Sequence, residues 1–196
     1  MTGPLMAMKR LGPADYRDMP WKNGGGVTRE LLKLPHPSDP SRFLARLSIA
    51  TVATSGPFSL FPGVDRTLVL LSGQGMALAI GGASERILDQ CLRPFLFPGE
   101  AEIHCRLLGG PVRDFNLMVD RALAGSTLEV VHLLAGGAHE LAGAATVLLY
   151  GLEGRAWVSG EPLSEGETLW GEAPGTLSLR ADESARLIAM RLGPGA

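Results

Sequence analysis

Apolar residues along this chain recur at every second position in short runs, and nearly every run ends at Gly or Pro. In RFLARLSIATVA, Arg42 to Ala53, the residues Phe43, Ala45, Leu47 and Ile49 alternate with Leu44, Arg46, Ser48 and Ala50. A period of two with one face of mixed polarity predicts a strand. Val27 to Leu34 predicts a shorter strand, stopped by Pro35 and Pro37. Ser55 to Gly82 reads as turn, short strand, turn, strand, turn, strand. Arg93 to Arg121 adds a strand, a Gly-Pro corner and a last strand from Asp114 to Val119. Helical periodicity is not sustained in any of these regions. The uncharged run Thr67 to Ser84 has the length of a short membrane span. It is interrupted at Ser72-Gly73-Gln74-Gly75 and ended by Gly81-Gly82, so it predicts two buried strands joined by a turn.

The pattern repeats. Val69 to Gly75 resembles Val147 to Gly154: an apolar strand runs into a Gly-containing turn, a second short strand ends at Gly81 or Gly160, and a later strand closes the unit. The offset, read from Leu71 to Leu149, is about 78 residues, which indicates a duplicated domain rather than a short-period solenoid. The expected boundaries are 1–124 for a first barrel and 125–196 for a shorter second one. The N-terminal 35 residues are candidates to cross over and complete the second.

Composition narrows the function classes. Hydrophobic residues make up 45% and charged residues 19%, which excludes wholesale disorder. With 26 Gly and 14 Pro spread along the chain, many turns between short elements are expected, hence an all-β sandwich or barrel. Lys plus Arg number 18 against 20 Asp plus Glu, so no basic excess exists to neutralise phosphates, and a nucleic-acid partner is disfavoured. Residues 1–66 nevertheless hold nine basic against five acidic groups, a bias that suits a small anionic ligand. Cys91 and Cys105 form neither a C-x-x-C nor a zinc spacing and read as reduced thiols. With no basic region followed by an apolar run at the N-terminus, a cytoplasmic protein without membrane contact is expected.

Strand, Gly-x-Gly turn, strand and Pro-Gly turn together form a layout that resembles the cupins. The resemblance implies a double-stranded β-helix, or jelly roll, and two metal-ligand motifs. When Gly73 is aligned with the closing Gly of the first motif, its Glu slot falls near Asp65-Arg66 and its His-x-His slot among Ser59-Leu60-Phe61-Pro62, where there is no histidine. In the second motif Phe97-Pro98-Gly99 stands for the turn, and the His slot falls on Glu102. His36, His104, His132 and His139 share no motif spacing, so neither a metal nor another cofactor is expected.

Three strings carry a closer match. WKNGGGVTREL (Trp21 to Leu31), the run from Arg46 to Gly75, and RDFNLMVDR (Arg113 to Arg121) resemble the HutD/Ves family in order and approximate spacing. That resemblance implies a duplicated cupin (a bicupin) associated with histidine utilisation. It also implies a role in moderating that pathway by binding an intermediate such as urocanate or formylglutamate.

The candidate ligand-binding residues follow from the strands. Trp21 and Asn23 sit on a Gly-rich turn without the Lys-Ser/Thr ending of a phosphate loop. Trp21 reads as an apolar lid and Asn23 as a hydrogen-bonding amide, or the turn is structural and Trp21 plugs one barrel end. Thr28 and Glu30 share one strand face, and Arg46 and Ser48 share another. If these faces point inward, Arg46 becomes a bidentate partner for a carboxylate. Of the adjacent pair Asp65-Arg66 only one side chain can enter the barrel, and a salt bridge pinning the turn is the plain alternative. Asp114 and Asn116 share a face, with Asp114 either partnering Arg66 or flanking the ligand. His104 lies close enough to the second motif to face the pocket with Glu102. No catalytic residue is assigned, since His104 and Cys105 are neighbours on a strand and point to opposite faces. The expectation is an all-β, duplicated, cupin-like binder of a small carboxylate, with homodimer formation left open. The rivals are a metal-independent isomerase or hydrolase using Glu30, Glu102 or His104, and an interaction module whose first barrel is filled by side chains.

Overall fold

The computed structural model describes residues 8–82, 84–173 and 175–195. Its strands are β1 (Lys9–Leu11), β2 (Arg17–Pro20), β3 (Gly26–His36), β4 (Asp39–Val52), β5 (Gly56–Pro57), β6 (Val64–Ser72), β7 (Met76–Ile80), β8 (Arg86–Leu88), β9 (Pro94–Pro98), β10 (Ile103–Leu107) and β11 (Val112–Asp120). After these come β12 (Thr127–Leu133), β13 (Ala138–Leu141), β14 (Ala144–Glu153), β15 (Arg155–Val158), β16 (Glu161–Ser164), β17 (Thr168–Ala173), β18 (Leu177–Arg180) and β19 (Ala185–Gly195). One 3-10 turn, Pro13–Asp15, interrupts them. No helix among the described residues is long and apolar enough to cross a membrane. The uncharged run Thr67 to Ser84 forms β6, a turn and β7.

The chain divides into two compact units, Tyr16–Ala122, and Leu123–Ala196 together with Met1–Asp15. The first contains a six-stranded sheet, β2-β3-β4-β11-β6-β9, and a four-stranded sheet, β5-β10-β7-β8. The second contains a five-stranded sheet, β1-β17-β14-β19-β12, and a four-stranded sheet, β13-β18-β15-β16. Each strand from β4 to β11 has a counterpart eight strands later, in the same order in its sheet. The duplication read from the Gly-flanked strands is therefore written in the topology. What differs lies at the edges: β2 and β3 extend one large sheet beyond β4, and β1 extends the other beyond β17.

Two details depart from the expected layout. The sheets of each unit are not hydrogen-bonded into a closed barrel; each unit is a pair of open sheets. The crossing N-terminal segment is also far shorter than 35 residues. β1 pairs with β17, whereas β2 and β3 pair beside β4.

In both units a glycine closes the turn after the central strand because the chain entering the last strand lies against it. Gly73 has φ +102, and a Cβ there would sit 2.7 Å from the Pro111 carbonyl, just before β11. Gly154 has φ +69, and its Cβ would sit 2.6 Å from the Ser184 carbonyl, just before β19. An L side chain is strained at such φ and has no room.

The interiors differ. In the second unit Val131, Leu133, Val147, Leu149, Leu163, Leu169, Leu177 and Leu187 are buried together in one apolar cluster. In the first unit the inward row changes character along each strand. β4 runs from Val52 and Ala50 to Ser48 and Arg46, β6 from Leu70 and Leu68 to Arg66, and β11 from Val112 to Asp114 and Asn116. One end of this interior is packed with apolar side chains and the other end is polar.

Candidate functional site

The polar end encloses a cavity of about 510 Å³. Five strands of the large sheet, β2, β3, β4, β6 and β11, contribute to its lining, the last three most of its polar wall. Strand pairing aligns Arg46 of β4 with Met118 of β11, and Met118 with Arg66 of β6. With neighbouring strands about 4.8 Å apart, the two arginines rise from one cross-strand row roughly 10 Å apart. The next row places Ser48 beside Asn116, and the one after it places Ala50 beside Asp114. Pro57, Phe58, Ser59 and Phe61 line it from outside that sheet, and the end of β2 with the loop after it, Met19 to Asn23, forms the rim.

Arg46 donates from Nε to Glu30 Oε2 at 2.7 Å. Its two terminal nitrogens have no hydrogen-bond partner among the described residues, so the guanidinium fork stays open. Arg66 is held differently. It is 6% exposed, and its guanidinium lies over the rings of Phe97 at 4.9 Å, Phe58 at 5.4 Å and Phe61 at 5.5 Å. It donates from Nη2 to Asn116 Oδ1 at 2.9 Å and from Nη1 to the Ser59 carbonyl at 3.3 Å, while Nε is buried without a partner. Burial lowers its pKa to about 10, which leaves it charged at neutral pH. The Asn116 amide nitrogen donates to Asp114 Oδ1, so Asn116 links the cation to the carboxyl. Burial pushes Asp114 up to about 7 against the pull of Arg66 and the Asn116 hydrogen bond.

The rim is built by its glycines. Gly24 has φ +70, Asn23 Oδ1 accepts from the Gly25 amide at 3.0 Å, and the Trp21 amide donates to the Gly26 carbonyl at 2.9 Å. This loop turns the indole of Trp21 over the start of β3, where its Nε1 donates to Thr28 Oγ1 at 2.8 Å. A Cβ on Gly26 would collide with the Thr51 carbonyl and lie 3.1 Å from the indole. Gly26→Ala is therefore expected to destabilise the protein by about 2 kcal/mol and to displace Trp21. A thermal melt checks this: an unchanged midpoint would mean that β3 and β4 part without cost.

Of the residues singled out in the sequence, Trp21, Asn23, Thr28, Arg46, Ser48, Arg66, Asp114 and Asn116 all line this cavity. Glu30 acts one step back, by holding Arg46. His104 does not belong to the site. On β10 the buried residues are Ile103 and Cys105, so Glu102 and His104 take the exposed face. Asp65 and Arg66 do separate to opposite faces, but they do not pair with each other. Asp65 accepts from Arg121 Nε at 2.9 Å, while Arg66 turns inward. The aromatic cage of Phe58, Phe61 and Phe97 is not among the residues expected from the sequence. The closely spaced rings of PFSLFPG were the available signal.

A cupin-type metal does not fit these walls. Among the described residues that line the cavity there are two guanidiniums, no imidazole and one carboxyl, that of Asp114. Among the described residues no group of three or more His, Cys, Asp or Glu side chains is placed to hold a metal ion.

Three comparisons place the chain among known proteins. A 21.2 kDa protein encoded in the hutC 3′ region of Pseudomonas putida is 38% identical over 155 residues, covering 79% of each chain. The structure of HutD from Pseudomonas fluorescens SBW25, from a formate condition, superposes with a TM-score of 0.78 at 31% identity, over 96% of this chain and all of that one. A bacterial pirin from Escherichia coli, solved in complex with nickel(II), shares the cupin-type fold at 11% identity and a TM-score of 0.70, over 96% of this chain and all of that one. The HutD family model matches residues 13–189, nearly the whole length, and the chain belongs to the HutD family.

Proposed function

We propose that this protein binds a small carboxylate of histidine breakdown, such as urocanate or formylglutamate, in the cavity of its first unit and thereby modulates histidine utilisation in the cytoplasm. The observation that carries the reading is the open fork of Arg46, two strands from Arg66 on one cavity wall. A guanidinium with both terminal nitrogens unused matches a carboxylate in plane and spacing. Counted together, Arg46, Arg66 and Lys22 outnumber Glu30 and Asp114 by one charge, and by two when Asp114 holds a proton. Trp21, Phe58 and Phe61 add apolar walls for a planar or short-chain ligand. The relationship to proteins named for the hut region supports the choice of metabolite. The acid–base rival has lost two of its three groups, since Glu102 and His104 lie outside the cavity.

Isothermal titration with urocanate and with formylglutamate tests this. Saturable heat at micromolar to millimolar ligand is expected for at least one of them. No heat from either at several millimolar would remove this ligand class.

A further inference from the structure

One wall of the cavity carries a carboxyl that the carboxylate reading leaves without a task. Asp114 is 1% exposed. It stands on β11 between Ala50 of β4 and Leu70 of β6, and the Asn116 amide is its hydrogen-bond donor. From β6 it faces Arg66 and from β10 the thiol of Cys105, which burial and then Asp114 itself push up to about 11, so the thiol stays neutral. From β4 come Ser48 and Ala50, which are uncharged, and Arg46, which is already engaged by Glu30. The rim contributes Lys22, which is exposed. Arg66 is thus the cation that faces Asp114, and it reaches the carboxyl only through Asn116.

An anion in this cavity competes for the same guanidinium. Two carboxylates beside one buried Arg66, with water displaced, repel each other strongly, and one of them must keep a proton. The ligand has Arg46 as well, whereas Asp114 does not.

We propose that Asp114 serves the site as a carboxylic acid, so that an entering carboxylate is bound together with one proton retained on Asp114. This rests on the reading of the cavity as a carboxylate site. In its ligand-free form Asp114 titrates at about 7, because burial opposes its ionisation. At pH 8 most chains must therefore take up a proton on binding, and at pH 5.5 the proton is already in place. Above about pH 8 affinity falls by up to tenfold per pH unit, and below about pH 6 it is flat with respect to this group.

The test is titration calorimetry with formylglutamate, whose own carboxyls are essentially ionised from about pH 5.5 upward, in two buffers of different ionisation enthalpy. The expected result is uptake of close to one proton at pH 8 and almost none at pH 5.5. Asp114→Asn, which imitates the acid form, is expected to bind with no uptake and with the same affinity at both pH values. Heat that is identical in both buffers at pH 8 would overturn the proton coupling and leave the carboxylate site standing. Uptake that persists in Asp114→Asn would overturn the assignment to Asp114. Absence of heat from formylglutamate and from urocanate alike would overturn both. Should the variant not fold, the buffer comparison on the unaltered chain still decides.

Discussion

Arg46→Gln is expected to weaken formylglutamate or urocanate binding by about 100-fold while leaving the protein folded. Hydrogen bonds to a charged group contribute about 1.5–3 kcal/mol, and each 1.4 kcal/mol is a factor of ten in affinity. Losing a two-pronged contact with the open fork of Arg46 falls near the upper end of that range. The cost to folding is small. The Arg46 and Glu30 side chains are 14% and 21% exposed, so water reaches the carboxylate that the substitution leaves alone. Arg46→Lys separates charge from geometry. It keeps a point charge but loses the planar fork, and an intermediate loss is expected. Titration calorimetry beside a thermal melt reads both quantities. Unchanged affinity in Arg46→Gln would mean that the carboxylate lies elsewhere in the cavity, and a collapsed melting transition would mean that Arg46 is structural.

How far this site could be read from the sequence depended on what each strand showed locally. Alternation along Arg42 to Ala53 puts Arg46, Ser48 and Ala50 on one face, and that is where they stand. Which face turned inward was not legible, because both are buried: Ala45 and Leu47 are each 0% exposed, and Ser48 only 2%. The apolar row looks like core and the mixed row like a solvated face, whereas the mixed row is the cavity wall. Along Val27 to Leu34 the period is broken by a bulge, since Glu30 pairs with Ser48 and Leu32 with Leu47. The extra residue follows Glu30, which pairs with Ser48 and reaches Arg46 from there, and nothing local announces the shift. His104 was misplaced because proximity to the Pro-Gly turn outweighed the alternation of Ile103, Cys105 and Leu107, which already assigned His104 to the other face. The cage around Arg66 unites β6, β9 and the loop before β6, and the pairing of β1 with β17 spans most of the chain. Contacts of that kind depend on sheet assembly and leave no periodic trace.

Arg66→Ala is expected to be the costliest substitution in the site, and its cost is expected to depend on pH. At pH 8 it removes the cation facing a buried, largely ionised Asp114, and breaking a buried pair from one side costs about 3 kcal/mol. For a chain of this length that corresponds to a fall of roughly 6–12 °C in the thermal midpoint. The sign of the pH effect follows from Asp114. Its folded pKa lies above the usual 3.8, at about 7, so between those values the native chain keeps a proton that the unfolded chain has lost. Stability from this group is therefore fully present below about pH 4 and declines as pH rises towards 7. Without Arg66 the carboxyl is held neutral to a higher pH still, the declining window extends upward, and the variant loses further stability where the parent has levelled off. At pH 5.5 Asp114 is mostly neutral with or without Arg66. What remains is the hydrogen bond to Asn116 and the packing against Phe58, Phe61 and Phe97, offset by relief of the buried guanidinium, a net loss of about 1 kcal/mol. Arg66→Met keeps an apolar stem in the aromatic cage and isolates the charge, so it should be more stable than Arg66→Ala by the same packing increment at both pH values while showing the same additional loss at pH 8. Denaturant melts of both variants at the two pH values measure the difference. Equal losses at pH 5.5 and pH 8 would show that Arg66 supports the fold by packing alone and that its charge is free to serve the ligand without cost to Asp114.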